Sequence, residues 1–476
     1  MLGLFGTLNL ATRALQVQQT GVEIAGQNLA NINNTAYARQ RVELQTSLAV
    51  MTPIGPQGTG VQLTAIQQIR DALLDDHICD ETSVGGYWEA QRGGLESAQT
   101  ALGEFLDQNA SSIDSAATAG SAAAAQGLAT QISQLFNMFQ SVATSPTSLS
   151  QRQTLINQAQ TLAEAFNQVS TRLEAVNDNL DRRIGVDVES ANQLLVDIAD
   201  LNKEIMDAEA PGGGASNDLR DSRQQKLEAL AQLADFELGT AADGSLTLQI
   251  GGRIVVSGRN VLETLETGDD GTGKMQVRFS SDHAAAFLTG GSIRGTMAAR
   301  DGALAKLRSG LDTLAAEMIS AVNAVYRTGF DLNGSTGADL FTGLDAATIG
   351  VSAALLADPG LLQVSGLAGT IGDNQVALAL ARMGTTRQAG LGDKTFNETY
   401  GLLVTNLGNA LSSANDQVAN HALVGELLLS RRDSVSGVSM EEEMTSLISF
   451  QKAYQASARV VSTIDEMLDE LLNMTR

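Results

Sequence analysis

The sequence has 476 residues, enough for two to four domains with sizeable cores, and 30 Lys plus Arg against 54 Asp plus Glu give a formal charge of -24. That charge repels nucleic acid and anionic lipid and argues against either as a partner. Cys79 is the single cysteine, so one chain forms no internal disulfide and no cysteine-based metal cage, and a small half-buried thiol is expected there. No window approaches the roughly 18–20 apolar residues of a membrane span. Met1 to Leu10 lacks a basic leader and runs into Arg13 and a Gln-rich stretch, so no cleaved secretory signal is expected. Five prolines, one tryptophan and 4% aromatics suit helices rich in Ala, Gln and Leu.

At the amino end, Leu4, Leu8, Ala11, Leu15, Gln18, Val22, Ala25, Leu29 and Ile32 step by three and four, the narrow apolar seam of a coiled-coil helix. Val42 to Ile69, with Pro53, Gly55, Pro56, Gly58 and Gly60 between short β-leaning pieces, reads as an extended connector or small hairpin. Helical spacing returns from Arg70 to Asn109, with Gly85-Gly86 and Gly93-Gly94 as possible interruptions. Ala116 to Ala125 is a low-complexity stretch of small residues, either a closely packed helix or a mobile link. Leu128 to Val142 and Leu155 to Leu180 are amphipathic and separated by Thr144-Ser-Pro-Thr-Ser148, which suits a stop and a new cap. A further helix is expected over Val186 to Ala210 and another over Asn217 to Ala234. The latter holds Asp218-Leu-Arg-Asp-Ser-Arg-Gln-Gln-Lys-Leu227, read here as a solvated charged face because no opposite charges fall at i,i+3 or i,i+4.

From Phe236 the period changes to two in Ser245 to Ile250, Arg253 to Val256 and Lys274 to Phe279, with Asp243-Gly244 and Gly251-Gly252 where hairpin turns belong. Core spacing at Leu304, Leu307, Leu311, Leu314, Met318, Val322 and Val325 predicts a helix from about Ser292 to Arg327. A Gly-rich stretch of about forty residues follows Gly329-Phe-Asp-Leu-Asn-Gly334 and reaches Asp373. Gln375 to Met383 and Phe396 to Leu429 then read as helices. From Leu447 the seam reappears at Phe450, Tyr454, Ser457, Val461, Ile464, Leu468 and Leu471. Two stripes of one pitch at opposite ends can pack on each other. Each large apolar seat is worth about 1.5–3 kcal/mol when fully buried, against about 1.5 kcal/mol to order each residue. Gly21 and Gly26 each cost about 1 kcal/mol relative to Ala. Ends that fray in the free chain and order on assembly are therefore expected.

Chemical sites are sparse. His77, His283 and His421 are scattered without a second ligand at helical spacing, so no zinc or other metal is expected. Asp331, Asn333 and Asp339 hint at calcium, but no Glu closes the loop at its twelfth place, and an ordinary turn is the simpler reading. Gly290-Gly-Ser-Ile-Arg-Gly295 lacks the Lys-Ser/Thr and the βαβ setting of a phosphate cradle and reads as a turn. No nucleophile-and-base pairing appears, so neither catalysis nor a cofactor is expected. Asn28, Asn31, Asn33 and Asn34 suit a helix terminus, and their amides can also fix register across a contact.

The residues at the two ends carry a resemblance. Asn28-Leu-Ala-Asn-Ile-Asn-Asn-Thr-Ala-Tyr-Ala-Arg-Gln40 resembles the amino-terminal motif of the bacterial flagellar rod, hook and hook-associated proteins, and Glu441-Glu-Glu-Met-Thr-Ser-Leu-Ile-Ser-Phe-Gln-Lys-Ala-Tyr-Gln-Ala-Ser-Ala-Arg459 resembles their carboxy-terminal motif. Arg39-Gln40 after Tyr37 and the run to Val461 are closer to the hook-associated members than to hook or rod proteins. Where the family usually has Thr-Pro-Gly-Tyr, this chain has Thr35-Ala36-Tyr37, which leaves two outcomes open: the first helix runs on, or it ends by another route.

The resemblance implies a mainly α, discontinuous multi-domain rod: 1–69 terminal helix and connector, 70–235 helical body, 236–291 a small β-rich insertion, 292–330 a returning helix, 331–373 a Gly-rich loop or trimmed insertion, 374–437 the last of the body, and 438–476 the carboxy-terminal coiled-coil helix. It implies an axial structural protein at the hook–filament junction of the flagellum, outside the cell and exported by the flagellar type III apparatus. Hook or distal-rod protein is the alternative, and a hydrolase carried on an axial scaffold a more distant one. Implied partners are the hook protein, hook-associated protein 3, an export chaperone on the carboxy-terminal helix, and further copies of the chain in a ring or tube layer. The implied assembly residues are Leu8, Leu15, Val22, Asn28, Leu29, Asn31, Ile32, Tyr37, Arg39 and Gln40 at one end. At the other they are Glu442, Met444, Leu447, Phe450, Gln451, Tyr454, Ala458, Arg459, Val461, Ile464, Leu468 and Leu471.

Overall fold

A computed structural model describes residues 4–52, 55–103, 127–210, 214–240, 245–271 and 274–474. The low-complexity stretch at 116–125 and the Asp243-Gly244 turn lie outside them. The chain is mainly α. Helices α1 (Leu4–Ala30), α2 (Ala72–Leu102), α3 (Leu128–Thr144), α4 (Leu149–Ala208) and α5 (Asn217–Leu233) precede a β-rich segment. Helices α6 (Gly291–Ala299), α7 (Ala305–Tyr326), α8 (Ala353–Ala357), α9 (Gln375–Met383), α10 (Phe396–Ser436) and α11 (Met440–Met474) follow it.

Local chemistry places several boundaries. Asp71 caps α2 by accepting from the Leu73 and Leu74 amides, and Gly103 closes it in the left-handed conformation at φ 68°. Ser148 caps α4, at the stop-and-cap segment expected from the sequence. Thr395 and Glu398 form a reciprocal capping box on α10. Two helical readings are corrected. The segments expected as separate helices over 155–180 and 186–210 are one 60-residue helix, α4, that carries Gly185 in its interior. Ile184 and Val188 on either side are buried, and their packing outweighs the roughly 1 kcal/mol propensity cost of the glycine. Similarly α2 runs unbroken through both Gly pairs. A carbon added at Gly94 would lie 2.7 Å from the Ala299 Cβ of α6, so there the glycine allows two helices to touch.

The connector is a pair of nested hairpins. β1 (Gln40–Thr46) pairs antiparallel with β4 (Val61–Gln68), with a bulge between Glu43 and Leu44, and β2 (Val50–Thr52) pairs with β3 (Gly55–Gln57) inside it. The β-rich segment holds a four-stranded antiparallel sheet in chain order, β5 (Glu237–Thr240), β6 (Leu246–Ile250), β7 (Arg253–Ser257) and β8 (Asn260–Val261), then the pair β9 (Leu265–Asp269) and β10 (Met275–Phe279). Gly251 and Gly252, at φ 56° and 77°, make the tight turn between β6 and β7 that the sequence signals.

Two buried clusters result. One joins α2, α3, the first half of α4, α7, α9 and α10; the other joins the second half of α4 and α5 to the sheet and Ile293. The Gly-rich stretch after residue 330 is not a loose loop. Leu340, Phe341 and Ile349 around the β11 (Phe341–Thr342) and β12 (Gly350–Val351) pair, and Leu355, Leu362 and Val364 beyond it, all enter the first cluster. The expected helix over 292–327 contains a π-helical turn, Arg300–Leu304, between α6 and α7. It directs the buried Arg300 guanidinium onto Asp181 of α4 at 2.5 Å and onto Asp301 at 2.9 Å.

Candidate assembly site where the two ends meet

Helices α1 and α11 lie against each other in antiparallel register. Asn28 meets Glu443, and seven residues earlier on α1 Gly21 meets Phe450, seven residues later on α11. The stripe expected on α1 is only part of what it buries. Ala11, Gly21, Ala25 and Asn28 are buried along with Val17 and Ile24. Leu10 lies against Gly60 at the start of the β4 arm. α1 thus has two faces, one for α11 and one for the β1–β4 hairpin, and the hairpin face lies outside the expected stripe. Among the described side chains of α11 only Glu443 and Ile464 are fully buried, with Leu447, Phe450, Ser457, Ala458, Val461 and Leu468 partly covered. Tyr454 and Leu471, expected in the seam, are 40% and 47% exposed, while Ala453 beside Tyr454 is partly covered.

A polar knot fastens this pair. The Asn28 amide donates to the Gln40 carbonyl at 2.8 Å and to the Glu443 carboxylate at 3.0 Å, while its oxygen accepts from the Tyr37 hydroxyl at 2.8 Å and the Gln40 amide at 3.0 Å. Arg39 reaches both Glu442, at 2.6 Å, and Glu443, at 2.7 Å, and its backbone amide donates to the Ser436 carbonyl at the end of α10. Gln40 donates to Asp218 at 3.0 Å and accepts from Asn217 at 3.1 Å. Asp221 accepts from the Ala38 amide and the Gln68 side chain and pairs with Arg70 at 3.0 Å. Residues from both ends, from the hairpin and from α5 therefore close one network.

This overturns the reading of the 218–227 segment as a solvated charged face. Asn217 and Asp221 are buried, and their partners come from outside the helix, which intrahelical spacing does not disclose. Burial pushes the Asp221 carboxyl up to about 6, against the pull of Arg70. Burial, followed by Asp218, Asp221 and Glu443, pushes the Tyr37 hydroxyl well above its ordinary value, so it stays a donor to Asn28.

The first helix ends without a Pro-Gly turn. The Asn31 amide bonds back to Gln27 and Asn28, the Asn34 amide to Asn31 and the Tyr37 amide to Asn34, and the Asn34 side chain accepts from the Ala36 amide. A polar cleft of about 560 Å³ lies between this turn and the Arg432–Glu442 segment.

The other expected site residues do not join the knot. Leu8, Leu15, Val22, Leu29 and Ile32 are partly covered on or just beyond α1, and Met444, Gln451 and Arg459 are exposed on α11. Glu443, Asn217, Asp218, Asp221, Arg70 and Gly21 are not among the expected site residues; Glu443 lies within the carboxy-terminal motif, and no spacing or motif marks the others as site residues. Asp331 accepts from the Asn333 and Ser335 amides and Asp339 pairs with Arg327, the bonds of an ordinary turn. His283 and His421 each meet a single carboxylate, Glu266 and Glu81. Among the described residues no group of three or more His, Cys, Asp or Glu side chains is placed to hold a metal, and no helix is long and apolar enough to cross a membrane.

Two family models match the chain: the flagellar hook-associated protein FlgK helical domain over residues 121–341, and the flagellar basal body rod FlgEFG protein C-terminal over residues 430–474. The helical body and the carboxy-terminal helix thus each resemble a domain of flagellar proteins. The flagellar hook-associated protein 1 of Bacillus subtilis (strain 168) is 28% identical, over 99% of each chain. That of Escherichia coli (strain K12) is 23% identical, over 98% of this chain and 99% of its own. The flagellar hook junction protein FlgK from Burkholderia pseudomallei shares the fold, with a TM-score of 0.63 and 16% identity over 76% of this chain and all of that one. The chain is thus similar to hook-associated protein 1 over nearly its whole length.

Proposed function

We infer that this chain is a structural component of the bacterial flagellum that joins the hook to the filament. The knot centred on Asn28 carries the mechanism: it fastens both ends to each other and to α5, so the paired ends are presented by the helical body as one unit. The pair keeps apolar side chains outward, with Met444, Ile448, Tyr454 and Leu471 each at least 40% exposed, and packing against neighbouring subunits would cover them. On this reading the assembly residues at both ends, already paired within one chain, bury further on joining the inner layer of a tube. The hook protein lies on one side and hook-associated protein 3 on the other. Before that, an export chaperone shields α11 during passage through the type III apparatus to the cell exterior. The role is mechanical rather than catalytic, as the match to relatives named for their place in the flagellum over nearly their whole length supports.

Deleting residues 440–476 is expected to leave a folded, soluble body that no longer enters the hook end. Normal filament growth from that truncation would refute the reading. Immunogold labelling of isolated flagella is expected to mark one short zone at the junction, whereas labelling along a long tube would favour a hook or rod protein.

A further inference from the structure

Gly21 and Gly26 both lie inside α1, and helix propensity alone makes each a liability. Their surroundings differ. A Cβ at Gly21 would lie 2.6, 2.7 and 2.8 Å from Cδ1, Cε1 and Cγ of Phe450, inside the ring's contact distance, whereas a Cβ at Gly26 meets nothing within 4 Å. The Phe450 ring rests on bare backbone at Gly21. Along the same seam, seven residues away on each helix, Asn28 holds Glu443. Two pins of different chemistry thus sit one heptad apart on an antiparallel pair.

We propose that the Gly21–Phe450 socket and the Asn28–Glu443 pair together select one register and one rotation of α11 on α1. Sliding α11 by one heptad in one direction sets Phe450 against Ala14, whose methyl stands where Gly21 has none. Sliding it in the other sets Phe450 against Asn28 and strips the amide of its carboxylate. Either slip loses both pins at once, and neither pin tolerates the other's partner. The selected rotation keeps Met444, Ile448 and Tyr454 outward. Gly21 is thus a positioning residue for the surface that the junction reading assigns to neighbouring subunits. The socket itself does not depend on that reading.

The test is amide hydrogen exchange across residues 443–464 in the full-length chain, for wild type, G21A, G26A, F450A and G21A/F450A. G21A is expected to speed exchange about tenfold or more, because the added carbon drives the ring out. G26A is expected to slow it by up to about fivefold, through helix propensity alone. G21A/F450A is expected to exchange no faster than F450A, since without the ring the methyl has nothing to displace. A G21A variant that exchanges no faster than wild type, or a double variant whose effect is the product of the two single ones, overturns the proposal. Incorporation at hook ends, scored separately for G21A and G26A, reports on the junction reading alone, so the two failures are distinguishable.

Discussion

Asn28 is 1% exposed and spends both ends of its amide, giving to Gln40 and Glu443 and receiving from Tyr37 and Gln40. No other side chain of its size offers two donors and an acceptor in that geometry, so truncation orphans several buried groups together. Asn28→Ala is expected to destabilise the terminal pair by about 3 kcal/mol, read from local hydrogen exchange. Asn28→Ala combined with Glu443→Ala is expected to cost less than the sum, because each single change already breaks the shared bond.

Asp221 supplies a pH dependence. Its carboxyl titrates near 3.8 in an unfolded chain and near 6 in the folded one, so between those values the folded state holds more protons. Its contribution to stability is therefore fully present below about pH 4, falls as pH rises to about 6, and is level above. The fall is on the order of 3 kcal/mol. Urea unfolding at pH 4.5 and pH 7 should show a smaller decline in Asp221→Asn than in wild type.

At the scale of elements, glycine means different things in different helices. Gly185 in α4 has nothing within 4 Å of a would-be Cβ, so Gly185→Ala is expected to stabilise the body by about 0.5–1 kcal/mol. Gly94→Ala places a methyl against Ala299 and is expected to cost about 1–3 kcal/mol. Thermal unfolding of the two variants should move in opposite directions. The sequence alone cannot separate these cases, because a helix-breaking cost is local whereas a close helix contact is set by residues two hundred positions away. The same limit explains why α4 reads as two helices, and why Asp221 reads as a surface charge. What was legible followed local rules: the caps at Ser148 and in the Pro146 turn, the Gly251-Gly252 hairpin, and the matching seams of α1 and α11. Of the knot, Asn28, Tyr37, Arg39, Gln40 and Glu442 were visible through the family motifs. Their body-side partners on α5 were not, since nothing in spacing links residue 40 to residue 217.

For the molecule as a whole, the division of labour is between a well-filled body and thinly covered ends. The body buries Phe139, Phe166, Leu155 and Leu314 completely, while among the described side chains of α11 one apolar side chain, Ile464, is fully buried. The ends expected to fray in the free chain are instead a helix pair already seated on the body, fastened by the Asn28 knot. Native-state exchange is therefore expected to open the terminal pair at lower free energy than the body, with the Asn28 knot as the last part of the pair to let go.

Asn28 and Glu443 are 415 positions apart along the chain. The fastening between them has to wait until almost the whole polypeptide is free to fold, since loop closure over that span follows the nearer contacts of the body. Any passage through an opening too narrow for folded protein must undo it, and it must then be tied afresh on the far side. In refolding from urea, a fluorescent reporter on α11 is expected to lag one in the body, and a truncated nascent chain halted before residue 443 should show a formed body with a loose first helix.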